Sequence, residues 1–115
     1  MNRGCALLLA LALSGGGAAL AHTHLEQSTP ADGSVLRSAP AEFLLHFSEP
    51  AQLTALAIEK EGGASQKLAL PAGKPQAQVV VQLPALSPAR YVVSWRAMSA
   101  DGHVVHGQVH FTLAQ

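Results

Sequence analysis

Six histidines and two aspartates carry most of the metal-ligating chemistry in a chain whose only cysteine, Cys5, lies near its start. The densest polar stretch is Ser99-Ala100-Asp101-Gly102-His103-Val104-Val105-His106-Gly107, with one carboxylate and two imidazoles. Asp101 and His103 stand two residues apart, so an extended segment projects both to the same side. Gly102 between them lets the backbone bend. An Asp-Gly pair also organises turns by itself, so the spacing reads either as two ligands or as turn chemistry.

A second candidate comes from the start of the chain. Arg3, the apolar stretch Ala6 to Leu13 and the small-x-small sequence Ala19-Leu20-Ala21 read as a secretory signal peptide over residues 1–21. The apolar stretch is well short of the roughly 20 residues needed to span a bilayer, and Gly15-Gly16-Gly17 interrupts it as a helix. Cys5 precedes the stretch, so it is not placed to be the lipid-modified first residue of a mature lipoprotein. Cleavage after Ala21 would make His22 the new N-terminus and leave a domain over residues 22–115 with no thiol. A terminal histidine offers its amine and its ring Nδ1 to one ion, closing a six-membered chelate, and both nitrogens can lose their protons to a metal near neutral pH. The alternative is a frayed terminal residue, as most termini are.

The amine, two imidazoles and a carboxylate form a nitrogen and oxygen set without sulfur. Such a set suits Cu(II) in tetragonal coordination, whereas structural zinc in a secreted domain usually recruits cysteines. No Ser or Cys nucleophile sits in a recognisable context, and no pair of carboxylates has hydrolase-like spacing. Residues 22–115 hold six Lys and Arg against seven Asp and Glu, leaving no basic footprint for nucleic acid or acidic lipid.

The elements that must position these groups are strands. No window sustains apolar residues at helical spacing, and prolines recur from Pro30 to Pro88. Strand-like runs cover Phe43 to Phe47, Leu53 to Ile58, Lys67 to Leu70, Val79 to Leu83, Tyr91 to Ala97 and Val109 to Leu113, separated by Gly- and Pro-rich turns. Their spacing predicts an all-β, Ig-like Greek-key sandwich or barrel of about seven strands. Alternation nominates Phe43, Leu45, Phe47, Tyr91, Val93, Trp95, Val109, Phe111 and Leu113 as the core, with His46, Ser94, Arg96, His110 and Thr112 facing the other way. The continuous Val79-Val80-Val81 run predicts a strand covered on both faces or one near an edge crossing. Ser99 to Gly107 reads as a loop or tight connection.

Four ordered motifs carry a family resemblance over nearly all of residues 22–115. They are the His-led start followed by Ser28-Thr29-Pro30-Ala31-Asp32-Gly33; Leu45-His46-Phe47-Ser48-Glu49-Pro50; Ala89-Arg90-Tyr91-Val92-Val93-Ser94-Trp95-Arg96-Ala97-Met98-Ser99-Ala100-Asp101-Gly102-His103; and Gly107-Gln108-Val109-His110-Phe111. The chain resembles the CopC family of periplasmic copper-resistance proteins. The resemblance implies a periplasmic, monomeric Cu(II)-binding protein that sequesters or carries one ion per chain. It also implies an inner-membrane permease of the CopD type as the partner receiving the copper. Its ligands map onto His22, Asp101 and His103. Glu49 falls at the family's acidic position, as a weak ligand or an acceptor for the ligand amine. His24 is expected to neighbour the site, although a histidine third from a free amine can also bind Cu(II) through deprotonated backbone amides. One departure concerns the methionine-rich loop that binds Cu(I) in some members, since Glu59 to Pro75 contains no methionine. The expectation is therefore a Cu(II)-only protein and not an enzyme. The competing readings are a small histidine-brace copper oxygenase, which shares the amine-plus-imidazole chelate, and an Ig-like structural domain without metal.

Overall fold

A computed structural model describes residues 23–115, which form seven strands. These are β1 (Leu25–Thr29), β2 (Ser34–Leu36), β3 (Glu42–Lys60), β4 (Ser65–Lys67), β5 (Gln76–Gln82), β6 (Ala89–Ser99) and β7 (Val104–Leu113). The first part of β3 pairs with β1 and β5, and its second part pairs with β6 and β4. β6 pairs in turn with β7, and β2 joins the outer side of β7 in parallel. The result is an all-β sandwich in which one long strand passes from one layer to the other.

The passage occurs at Ser48-Glu49-Pro50. Proline cannot donate to a ladder and is confined to places where no partner needs its nitrogen. The β3–β5 register breaks between His46 and Ala51, and the β3–β6 ladder begins at Ala51↔Ser99, so Pro50 falls between ladders. A second irregularity between Leu53 and Ala55 leaves Thr54 as an extra residue, whose hydroxyl donates to the Arg96 carbonyl at 3.3 Å.

All nine residues nominated by alternation are buried. Phe47 and Trp95 meet edge to face with centroids 5.3 Å apart, and Tyr91 stacks on Phe111 at 5.4 Å. Aromatic pairs of this kind add about 0.5–1.5 kcal/mol beyond the area they bury. The Tyr91 hydroxyl donates to the Ser87 carbonyl at 2.5 Å and accepts from the Ser87 N–H at 3.1 Å, anchoring the start of β6. His46, Arg96 and His110 are exposed, as the period of two requires, and Ser94 and Thr112 are partly exposed.

Three expectations change. The two runs from Phe43 and from Leu53 are one strand, because Pro50 sits where no ladder bond is lost. β1 and β2 were not expected, β1 being mostly polar and β2 only three residues long, both held by pairing rather than by an apolar pattern. β4 covers Ser65–Lys67, with Leu68 turning inward to donate its N–H to the Leu56 carbonyl. Two open readings resolve. β5 is an edge strand beside the crossing of β3, with Val79 and Val81 buried and Val80 exposed. The stretch from Ser99 to Gly107 is a tight connection flanked by strand, because Val104 and Val105 continue the ladder opposite Met98 and Ala97.

Candidate metal centre

The β6–β7 hairpin carries Asp101 and His103. Its ladder runs from Ala89↔Leu113 to Met98↔Val104, and Ser99 N–H donates to the His103 carbonyl at 2.8 Å. Only Ala100-Asp101-Gly102 remains as the connection. Three-residue hairpin loops use a left-handed residue to rejoin the strand, and Gly102 supplies it with φ of +89°. Its N–H donates to the Ser99 carbonyl at 2.9 Å.

The turn brings the two candidate ligands together. Asp101 Oδ2 lies 3.0 Å from His103 Nδ1, with both side chains open to solvent. Two ligand atoms bound at roughly 2.0–2.1 Å on adjacent corners of a tetragonal ion stand about 2.8–3.0 Å apart. The observed separation matches that edge. Asp101 Oδ1 accepts from the Ser99 hydroxyl and from the His103 N–H at 3.4 Å. The Ser99 hydroxyl first, and the His103 N–H after it, hold the Asp101 carboxyl below its ordinary range. The carboxylate therefore stays ionised, as a metal ligand must be.

The start of the described chain approaches the same hairpin. His24 N–H donates to Ser48 Oγ at 3.0 Å, and its carbonyl accepts from the Ser48 N–H at 2.9 Å. Thr23 is only 4% exposed. It lines, with Trp95, Val104 and Gly107, a cleft of about 500 Å³, and Val104 is the residue after His103. Gly107 faces the indole so closely that a Cβ there would lie 2.9 Å from Trp95 Cζ2. Glu49, exposed, follows Ser48 in β3. Ala51, two residues on, pairs with Ser99. His22 lies outside the described residues. Among the described residues, no three His, Cys, Asp or Glu side chains form a group able to hold a metal; Asp101 and His103 stand together as a pair.

The remaining histidines stand apart from this edge. His46 Nε2 lies 4.0 Å from Glu26. His110 donates its backbone N–H to Asp32 Oδ1 at 2.8 Å and places Nδ1 3.2 Å from the same oxygen. His106 is exposed on β7 opposite Arg96. Sequence reasoning missed Ser99, which sits at the root of the turn and is 6% exposed. The signal was present, since Trp95, Ala97 and Ser99 share the inward parity of β6.

Comparison with known proteins bears on the family and the fold. The family model described as the CopC domain matches residues 25–114. Copper resistance protein C of Pseudomonas syringae pv. tomato is 36% identical over 103 residues, covering 81% of each chain. The crystal structure of CopC from Methylosinus trichosporium OB3b superposes with a TM-score of 0.70 at 26% identity, covering 81% of this chain and 94% of that one. The crystal structure of PcoC, a methionine-rich copper resistance protein from Escherichia coli, matches with a TM-score of 0.57 at 30% identity, covering 81% and 99%. The chain belongs to the CopC family.

Proposed function

We propose that the mature chain is a periplasmic Cu(II)-binding protein that sequesters or carries copper. The ion is bound by the amine and ring of His22 after cleavage behind Ala21, together with Asp101 and His103. The observation that carries this reading is the 3.0 Å contact between Asp101 Oδ2 and His103 Nδ1 at the hairpin tip. Burial of Thr23 in the cleft it shares with Val104 supports the remaining ligands, because the described chain begins beside the residue that follows His103. Family membership and the copper resistance named for its relatives point the same way.

Glu49 accepts a hydrogen bond from the ligand amine and offsets the charge of the ion. His24 stands beside the site. The alternative peptide mode through His24 would have to deprotonate a backbone amide that already donates to Ser48 Oγ, so the folded site wins. Whereas PcoC is described as methionine rich, Glu59 to Pro75 here has no methionine. The cargo is therefore Cu(II) alone, one ion per monomer, delivered to an inner-membrane permease of the CopD type.

The test is a Cu(II) competition titration on three proteins. These are the mature chain beginning at His22, the same chain with one glycine added ahead of it, and His103→Ala. The added residue and the substitution should each weaken binding by orders of magnitude, while His110→Ala should not. Unchanged affinity in the extended chain would remove the amine from the ligand set. Copper should also leave as pH falls and the imidazoles and amine take up protons.

A further inference from the structure

The geometry points to Ser99 as the positioning residue of the copper site, holding Asp101 to the ion through a single oxygen and fixing His103 beside it. The inference rests on the copper reading above and goes beyond it.

Ser99 is a buried polar residue at the end of β6, and each of its hydrogen-bonding groups is spent on the turn. Its hydroxyl donates to Asp101 Oδ1. The same oxygen lies 3.2 Å from the His103 N–H, which donates to it, and 3.1 Å from the His103 carbonyl. Its backbone N–H donates to that carbonyl, and its own carbonyl accepts from Gly102. One small side chain thus touches both candidate ligands.

The division of the carboxylate follows from these contacts. Oδ1 is turned inward to the buried hydroxyl, and Oδ2 is turned outward to His103 Nδ1. A carboxylate with one oxygen fixed by a donor presents the other as a single ligand atom. Without the hydroxyl, Oδ1 keeps only the long 3.4 Å bond from the His103 N–H, and either oxygen or both could meet the ion. Partners that orient ligand carboxylates and imidazoles typically change metal affinity about 10- to 100-fold when removed. The ordering also acts before copper arrives, so capture does not have to assemble the edge.

The experiment compares Ser99→Ala, Ser99→Thr and His103→Ala in the mature chain. It follows Cu(II) affinity, the Cu(II) electron paramagnetic resonance spectrum and the thermal midpoint of the metal-free protein. Ser99→Ala should lose about 10- to 100-fold in affinity with an altered spectrum, and Ser99→Thr, which keeps the hydroxyl, should recover most of both. Wild-type affinity and spectrum in Ser99→Ala would overturn the inference. So would equal losses in Ala and Thr with a lowered midpoint and an unaltered spectrum, which would mark Ser99 as structural only. Wild-type affinity in His103→Ala would instead overturn the site itself, so the two failures are distinct.

A second measurement leaves Ser99, Asp101 and His103 unsubstituted. The chain has two aspartates, Asp32 and Asp101, so ¹³C-aspartate labelling with Asp32→Asn isolates the Asp101 carboxylate in infrared difference spectra. Copper loading should give the wide separation of carboxylate stretches that marks single-oxygen binding. A narrow, chelating separation would overturn the proposal.

Discussion

Replacing Gly107 by alanine should disturb both the core and the proposed copper site, because this glycine is the platform on which Trp95 rests. The two residues are directly opposite in the β6–β7 ladder. A Cβ at 107 would stand 2.9 Å from Cζ2 and 3.1 Å from both Cε2 and Nε1 of the indole. The ring has little freedom to retreat, being buried and packed edge-on against Phe47. Forcing a methyl into a packed core costs about 1–3 kcal/mol. Gly107 does not have a positive φ, so alanine also stiffens the unfolded chain and returns about 0.4–1 kcal/mol. The net loss is about 1–2 kcal/mol, which for a domain of this size lowers the thermal midpoint by roughly 5–15 °C. Calorimetry on the metal-free protein measures it, and a Cu(II) titration on the same variant should show weaker binding, since the indole shares its cleft with Thr23 and Val104. The decisive comparison is a double-mutant cycle with Trp95→Phe, whose smaller ring relieves the clash. Gly107→Ala should cost at least about 1 kcal/mol less in that background. Additive effects, or a loss below about 0.5 kcal/mol in the single variant, would refute the packing argument.

Three further outcomes are expected. Gly102→Ala meets no atom within 4 Å but must hold φ at +89°, so urea unfolding should show a loss of about 1–2 kcal/mol from backbone strain alone, with Cu(II) affinity falling because the turn that sets Asp101 against His103 relaxes. Tyr91→Phe removes the hydroxyl that bonds to both backbone groups of Ser87 and should destabilise the fold by about 1 kcal/mol in the same assay. Asp32 is held below the ordinary carboxylate range by the His110 backbone N–H and then by the His110 ring. Its stabilising contribution is therefore complete above the unfolded pKa and lost as pH falls through the folded one. Thermal midpoints of the wild type and Asp32→Asn should differ most above about pH 4 and converge in stronger acid; a constant difference across that range would contradict the assignment.

The core was legible because a period of two admits few alternatives. Once Phe43, Leu45 and Phe47 are placed inward, His46 has nowhere to go but out, and the same logic orders β6 and β7. The continuity of β3 was hidden by Pro50, which breaks strands in general but here occupies a gap between ladders that only the tertiary register reveals. β1 carries a single fully buried side chain, Ser28, beside the half-buried Leu25, so it has no pattern to read. For the candidate site, the ligand types and the two-residue spacing were visible in Asp101-Gly102-His103. The tightness of the turn was not, because the sequence does not say that Val104 will pair with Met98. Without that closure the inward parity of Ser99 has no apparent use.

β3 binds the two layers into one cooperative unit. Its amides from Phe43 to Phe47 are held between β1 and β5, and those from Leu53 to Ile58 lie in the ladders to β6 and β4. Opening either layer alone strands half of a continuous backbone, so partial unfolding has no natural seam. In native-state hydrogen exchange, the slowest amides of both halves should converge on one opening free energy. β2, by contrast, is three residues long and attached only to β7, and should exchange by local fraying well before the rest.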